Sequence, residues 1–159
     1  MGREESEQLI KFQDALLDSD LFNQVRRLVV TGSGEPLAGR VYFDLFGKID
    51  RRKHPDLKIT LRTNGLLLTP DNWEKLKPIH YAVDKISISI DAAAEETYRA
   101  LRRGGDFETL LHNLAFLEGI KKKNGFKIGM NFVVQEQNFK EMPEFVKLAK
   151  RYRSDEVAF

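Results

Sequence analysis

Two hydrophobic periods take turns along the chain, and their alternation predicts an architecture. Leu9, Ile10, Phe12, Leu16 and Leu17 recur at helical spacing and predict a helix over 4–17, interrupted by the Asp18-Ser19-Asp20 cluster. A short β-branched run at 28–31 ends in a glycine-containing turn, and helical spacing resumes over 40–49 through Val41, Phe43, Leu45, Phe46 and Ile49. The same order repeats as strand 58–63, turn Asn64-Gly65, helix 70–76 and strand 85–90. Helices over 95–101 and 107–122 follow, Asn124-Gly125 closes the second, and 127–134 is the next strand. A last helix over 142–152 is entered through Pro143, and 156–159 begins a further strand.

Strands separated by helices require parallel pairing through right-handed crossovers, so residues 1–159 read as a single α/β domain. Successive side chains on a strand point oppositely. Ile86, Ile88 and Ile90 therefore share one face, with Ser87, Ser89 and Asp91 on the other. Ile59 and Leu61 likewise oppose Thr60, Arg62 and Asn64, while Ile128, Met130, Phe132 and Val134 oppose Gly129, Asn131 and Val133. A doubly wound sheet is covered on both faces and its central strands are apolar on both. The pattern instead predicts an incomplete (β/α) barrel, curled so that helices cover its outer face and a polar inner face lines a ligand-filled hollow. The plainer alternative is that Ser and Thr hydroxyls bond locally within their strands, although Arg62 and Asp91 would be costly to bury without partners.

Length changes the picture first, because 159 residues fall short of the roughly 250 typical of a complete (β/α)8 barrel. Lys and Arg number 26 against 24 Asp and Glu, a formal charge of +2 too balanced to indicate a nucleic-acid or membrane partner. No apolar run approaches the about 20 residues a membrane span needs, and the start lacks the layout of a signal peptide, so a cytoplasmic location is expected. The absence of cysteine excludes disulfides, thiolate metal sites and a cysteine nucleophile. His54, His80 and His112 have no mutual metal-ligand spacing, and the basic runs at 51–54 and 121–123 lack interleaved aromatics. The phenylalanines, as at Phe43 and Phe46, read as core.

Candidate chemistry gathers where α/β folds place ligands, beyond the carboxyl ends of strands. Thr31-Gly32-Ser33-Gly34-Glu35-Pro36 follows the first strand, and its glycines would let backbone approach a ligand or would serve a tight turn. No Gly-Lys-Ser/Thr follows, so it is not a P-loop, and the dinucleotide fingerprint spacing is absent. Arg62 faces the hollow by alternation, where a guanidinium fork could neutralise a carboxylate. Arg102 and Arg103 could do the same or sit as solvated charges at a helix end.

Gly32-Ser33-Gly34-Glu35-Pro36, Thr63-Asn64-Gly65, Ser87-Ile88-Ser89-Ile90-Asp91 with Glu96-Thr97-Tyr98, and Leu101-Arg102-Arg103-Gly104-Gly105 with Phe107 together resemble the radical S-adenosylmethionine superfamily. The match is to the second through fifth strands, and the start of the sixth, of that family's partial (β/α)6 barrel. The resemblance implies a [4Fe-4S] cluster held by a Cys-x-x-x-Cys-x-x-Cys loop, S-adenosylmethionine chelating its open iron, and a 5′-deoxyadenosyl radical that abstracts substrate hydrogen. It implies that Gly32, Ser33, Gly34 and Pro36 offer backbone to the methionine amino group, with Glu35 bracing the loop. Ser87, Ser89 and Asp91 would serve the carboxylate or ribose, Asn131 the ribose, and Val133 the adenine region. Arg62, Asn64 and Arg102 complete the expected cofactor-binding set.

The cysteine loop of that family is missing, so the chain is expected to be an internal piece of an enzyme acting on a peptide or cofactor precursor, inactive by itself. Its first strand would then expose an edge prone to self-association. The alternative is a non-catalytic barrel-like module that binds a nucleotide or a protein partner.

Overall fold

A computed structural model describes residues 3–31 and 34–159. Gly32 and Ser33 of the glycine loop lie outside the described residues. Five parallel strands, β1 (Arg27–Val30), β2 (Lys58–Thr63), β3 (Val83–Ser89), β4 (Lys127–Asn131) and β5 (Glu156–Ala158), pair in chain order as one open sheet. Helices α1 (Arg3–Leu17) and α2 (Asp20–Asn23) precede β1, and the crossovers carry α3 (Arg40–Lys48), α4 (Pro70–Lys75), α5 (Glu95–Leu101), α6 (Phe107–Asn124) and α7 (Met142–Arg151). No helix among the described residues is long and apolar enough to cross a membrane.

Register turns the predicted alternation into rows. Val30, Leu61, Ile86 and Ile128 are aligned across β1 to β4, and Ile88 aligns with Met130, all of them buried in one core with Phe46, Leu110, Leu114, Leu117 and Phe145 from the helices. Each such aliphatic side chain contributes about 1.5–3 kcal/mol by leaving water. The opposite face carries Arg62, Ser87, Gly129 and Glu156 in one row and Ser89 with Asn131 in the next. Lys85 pairs with Glu156 across Gly129, where a Cβ would come within 2.9 Å of Lys85 Cε and 3.2 Å of Glu156 Cγ.

Helix boundaries follow local capping chemistry. The Thr69 hydroxyl accepts the Asn72 amide to start α4, with Pro70 in its first turn, and Asp106 accepts the Thr109 amide to start α6. The last turn of α6 holds Lys121, Lys122 and Lys123, a favourable arrangement for the helix dipole, and the Gly125 amide caps the Lys121 carbonyl.

Three expectations are corrected. Strand β3 begins at Val83, because Asp84, a poor strand former in isolation, is paired with Arg27 and Lys58. Strand β4 stops at Asn131, so Val134 does not join the apolar face and is 44% exposed. Phe12, Phe139 and Phe159 are exposed, while Phe22, Phe46, Phe126, Phe132 and Phe145 are buried as core.

Candidate functional site

Thr31, Gly34, Glu35, Arg62, Thr63, Asn64, Ser89 and Arg102 line a cleft of about 450 Å³. It lies beyond the carboxyl ends of β1, β2 and β3, the place where parallel sheets present ligand-binding groups. Of the residues anticipated for a site, it brings together Gly34, Glu35, Arg62, Asn64, Ser89 and Arg102. Pro36 sits instead in the first turn of a buried 3-10 turn, and Ser87 lies one row deeper on β3.

Glu35 fixes the cleft wall. One carboxylate oxygen accepts the Thr63 hydroxyl at 2.6 Å and the Leu37 amide at 3.3 Å, and the other accepts the Asn64 amide at 2.7 Å. The glycine loop after β1 is thereby tied to the end of β2. The Asn64 side chain accepts the Leu66 amide at 2.9 Å, closing the turn that carries Gly65. Gly65 has φ +85, and a Cβ there would meet Leu110 Cδ1 at 2.7 Å and Ile88 Cγ2 at 2.9 Å. No larger residue fits that turn without displacing the core.

The charged side chains of the cleft are Arg62, Arg102 and Glu35. Arg62 is exposed and makes no ion pair among the described residues. Arg102 is paired with Asp91 at 2.5 Å, yet its Nε is buried with no hydrogen-bond partner, leaving a donor in reserve. Arg102 and Asn64 also border a second cleft of about 400 Å³, lined by Leu66, Tyr98, Leu101, Arg103, Gly104 and Gly105. Burial pushes the Tyr98 hydroxyl up, opposed by nearby Arg102 and reinforced by Asp106 and Asp91, so it stays neutral at physiological pH.

The remaining anticipated residues form a network beside the cleft rather than its lining. Asn131 donates to the Ser87 hydroxyl at 2.7 Å and to the Ile88 carbonyl at 3.2 Å. Val133 is 60% exposed, and its amide donates to Asp91 at 2.8 Å. Asp91 itself is 6% exposed, in the left-handed region at φ +64. His54 packs edge-on against Phe22 and His80 stacks on Trp73, both outside the cleft.

Two polar anchors escaped the sequence reading. Asn138, fully buried, donates to the Asp91 and Val133 carbonyls and accepts the Gln135 amide. Glu141 accepts the Ala93 and Ala94 amides at 2.6 and 3.0 Å and bonds the Thr97 hydroxyl, supplying the cap that Ala94 cannot give α5. The one available signal was the alanine at that N-cap, which demands an acceptor from elsewhere.

Comparison with known proteins identifies the family of the chain. The model of the radical SAM superfamily matches residues 11–149. The chain is 33% identical over 124 residues to AdoMet-dependent heme synthase of Methanosarcina barkeri, covering 77% of this chain and 33% of that protein. It is 29% identical over 137 residues to the mycofactocin maturase MftC of Mycolicibacterium smegmatis, covering 84% and 33%. It is 31% identical over 140 residues to GTP 3′,8-cyclase of Rhizobium leguminosarum, covering 86% and 37%. The chain thus spans about a third of the length of these curated relatives.

Proposed function

The chain belongs to the radical SAM superfamily, and from that premise we propose that it forms the S-adenosylmethionine cradle of an enzyme acting on a peptide or a cofactor precursor. The observation that carries this reading is the convergence of Gly34, Ser89, Arg62 and Arg102 on one cleft beyond the strand ends. The carboxylate end of an amino-acid-bearing nucleoside suits the two arginines of that lining. Backbone of Gly34 would receive the amino group, and the Arg62 and Arg102 guanidiniums the carboxylate. The unpartnered Arg102 Nε supports the fit, because a buried donor without an acceptor is costly until a ligand supplies one. Ser89 and Asn131 would reach carboxylate or ribose hydroxyls, and backbone near Val133 the adenine. Glu35 serves as a brace, since both its oxygens are taken by the chain's own donors.

Bound beside a reduced [4Fe-4S] cluster, S-adenosylmethionine supplies a 5′-deoxyadenosyl radical for hydrogen abstraction. The cluster does not fit these residues, because 159 residues without cysteine offer no thiolate. We therefore assign this chain no step through it. A cysteine-bearing strand pairing along the open edge of β1 is our proposed source of the ligands, and it would complete a partial barrel whose inner face would be the one that carries Arg62, Ser87 and Ser89. Lys85, Gly129 and Glu156 would close the floor beneath them.

The substrate class rests on relatives named for heme synthesis and mycofactocin maturation. Titration of the 15N-labelled chain tests the cradle. S-adenosylmethionine is expected to shift the amide signals of Gly34, Asn64, Ser89 and Asn131, and ATP is not. Equal responses to both ligands would favour a general nucleotide-binding module, and no response at these amides would refute the cradle.

A further inference from the structure

Resting on the cradle reading, we propose that Asp91 is a positioning residue that never touches the cosubstrate and acts by aiming Arg102 into the cleft. The sequence pattern alone would make Asp91 a direct contact, since it continues the alternation of Ser87 and Ser89 two residues beyond the end of β3. Its surroundings point elsewhere. Asp91 lines neither cleft. One of its carboxylate oxygens accepts the Val133 amide at 2.8 Å, and the other holds an Arg102 terminal nitrogen at 2.5 Å. Its carbonyl accepts the Asn138 side chain at 2.9 Å. The residue is also held at φ +64, a conformation that costs a non-glycine residue free energy and persists only where surrounding structure imposes it.

Each of those bonds has a direction. Asn138 is fully buried and bridges the Asp91 and Val133 carbonyls, so the loop after β4 grips the backbone of Asp91 from one side. The side chain then turns toward α5, at whose end Arg102 stands. A carboxylate fixed in this way takes one edge of the planar guanidinium and leaves the rest of its fork to a ligand. The buried, unpartnered Nε of Arg102 is the donor left over. Val133 hangs from the other oxygen, so one aspartate sets both the arginine proposed for the methionine end and the loop proposed for the nucleoside end.

A direct-contact residue, a neutralising residue and a positioning residue differ in what Asp91→Asn does. Asparagine tolerates the left-handed region and can still accept the Val133 amide, so the fold is expected to survive. If Asp91 positions Arg102, Asp91→Asn weakens S-adenosylmethionine binding about 10-fold and leaves binding of 5′-methylthioadenosine, which has no carboxylate, unchanged. Arg102→Lys gives the same pattern, and the double variant loses no more than either single one, because the two residues act as a unit. Tighter binding in Asp91→Asn would make the aspartate a neutralising charge, and equal loss of both ligands would make it a direct contact or a purely structural residue. Either result overturns the proposal. A wild-type chain that binds neither ligand overturns the cradle reading itself. Hydrogen exchange at the Arg102 Nε–H needs no ligand and decides the positioning separately. Exchange is expected to accelerate at least 10-fold in Asp91→Asn, and unchanged exchange refutes the claim that Asp91 holds the guanidinium.

Discussion

Replacing Glu35 by alanine removes the acceptor for three donors at once. Hydrogen bonds to a charged group contribute about 1.5–3 kcal/mol each, and loss of an N-cap acceptor costs about 0.5–2 kcal/mol. The contacts at 2.6 and 2.7 Å to Thr63 and Asn64 are short, and that to Leu37 at 3.3 Å is long, so the first two dominate. The carboxylate is only partly buried and water can replace part of what it gives, which brings the expected loss for Glu35→Ala to about 3 kcal/mol. In a chain of this size that corresponds to roughly 6–12 °C in Tm. Urea unfolding of Glu35→Ala, Thr63→Val and the double variant isolates the carboxylate–hydroxyl coupling, expected near 1.5–2 kcal/mol. A single-variant loss below about 0.5 kcal/mol, or a coupling of zero, would show a solvated side chain and remove the account of how the loop after β1 is held.

Further predictions come from other parts of the sheet. Gly65→Ala should cost about 2–5 kcal/mol, since it adds backbone strain at φ +85 to overlap with Leu110 and Ile88. Gly129→Ala should cost less than about 1.5 kcal/mol because the atoms met there belong to flexible Lys85 and Glu156 side chains, and equal losses on denaturation would contradict this contrast. Glu141→Ala should speed amide exchange in α5 while leaving α6 protected, and uniform acceleration would mean that the capping contact is not local. Asp155 is pushed up by burial, but Lys121 and the Ile128 amide together outweigh this and hold it below the usual carboxylate value. A carboxyl lowered on folding stabilises above its unfolded pKa, and that contribution disappears as pH falls through the folded value, below about pH 4. Asp155→Asn should therefore flatten the acid limb of the stability profile, and an unchanged limb would refute the linkage.

Much of this architecture was legible because period decides it. Strand β2 and helix α5 begin and end where hydrophobic spacing places them, and the apolar rows through Leu61, Ile86 and Ile128 are the predicted alternation seen in three dimensions. The failures share a cause, which is a partner distant in sequence. Strand β4 ends early where the Asp91 carboxylate takes the Val133 amide, 42 residues away. Glu141 caps a helix 47 residues upstream, and nothing local distinguishes it from a solvated acid. Thr63 was missed as part of the cleft because alternation assigns it to the apolar face, and its hydroxyl is useful only once Glu35 has been folded against it. The site followed the same rule. Residues on the polar face gathered as expected at Arg62 and Ser89, whereas Asp91 showed its surroundings only through Arg102, Val133 and Asn138.

The spatial order β1-β2-β3-β4-β5 repeats the order of synthesis. Every new strand emerging from a ribosome finds the plank it must dock on already laid, with no gap to be held open for a later arrival. Such a sheet can grow from one side as translation proceeds, each strand closing onto the one made just before it while the β1 rim stays as it was.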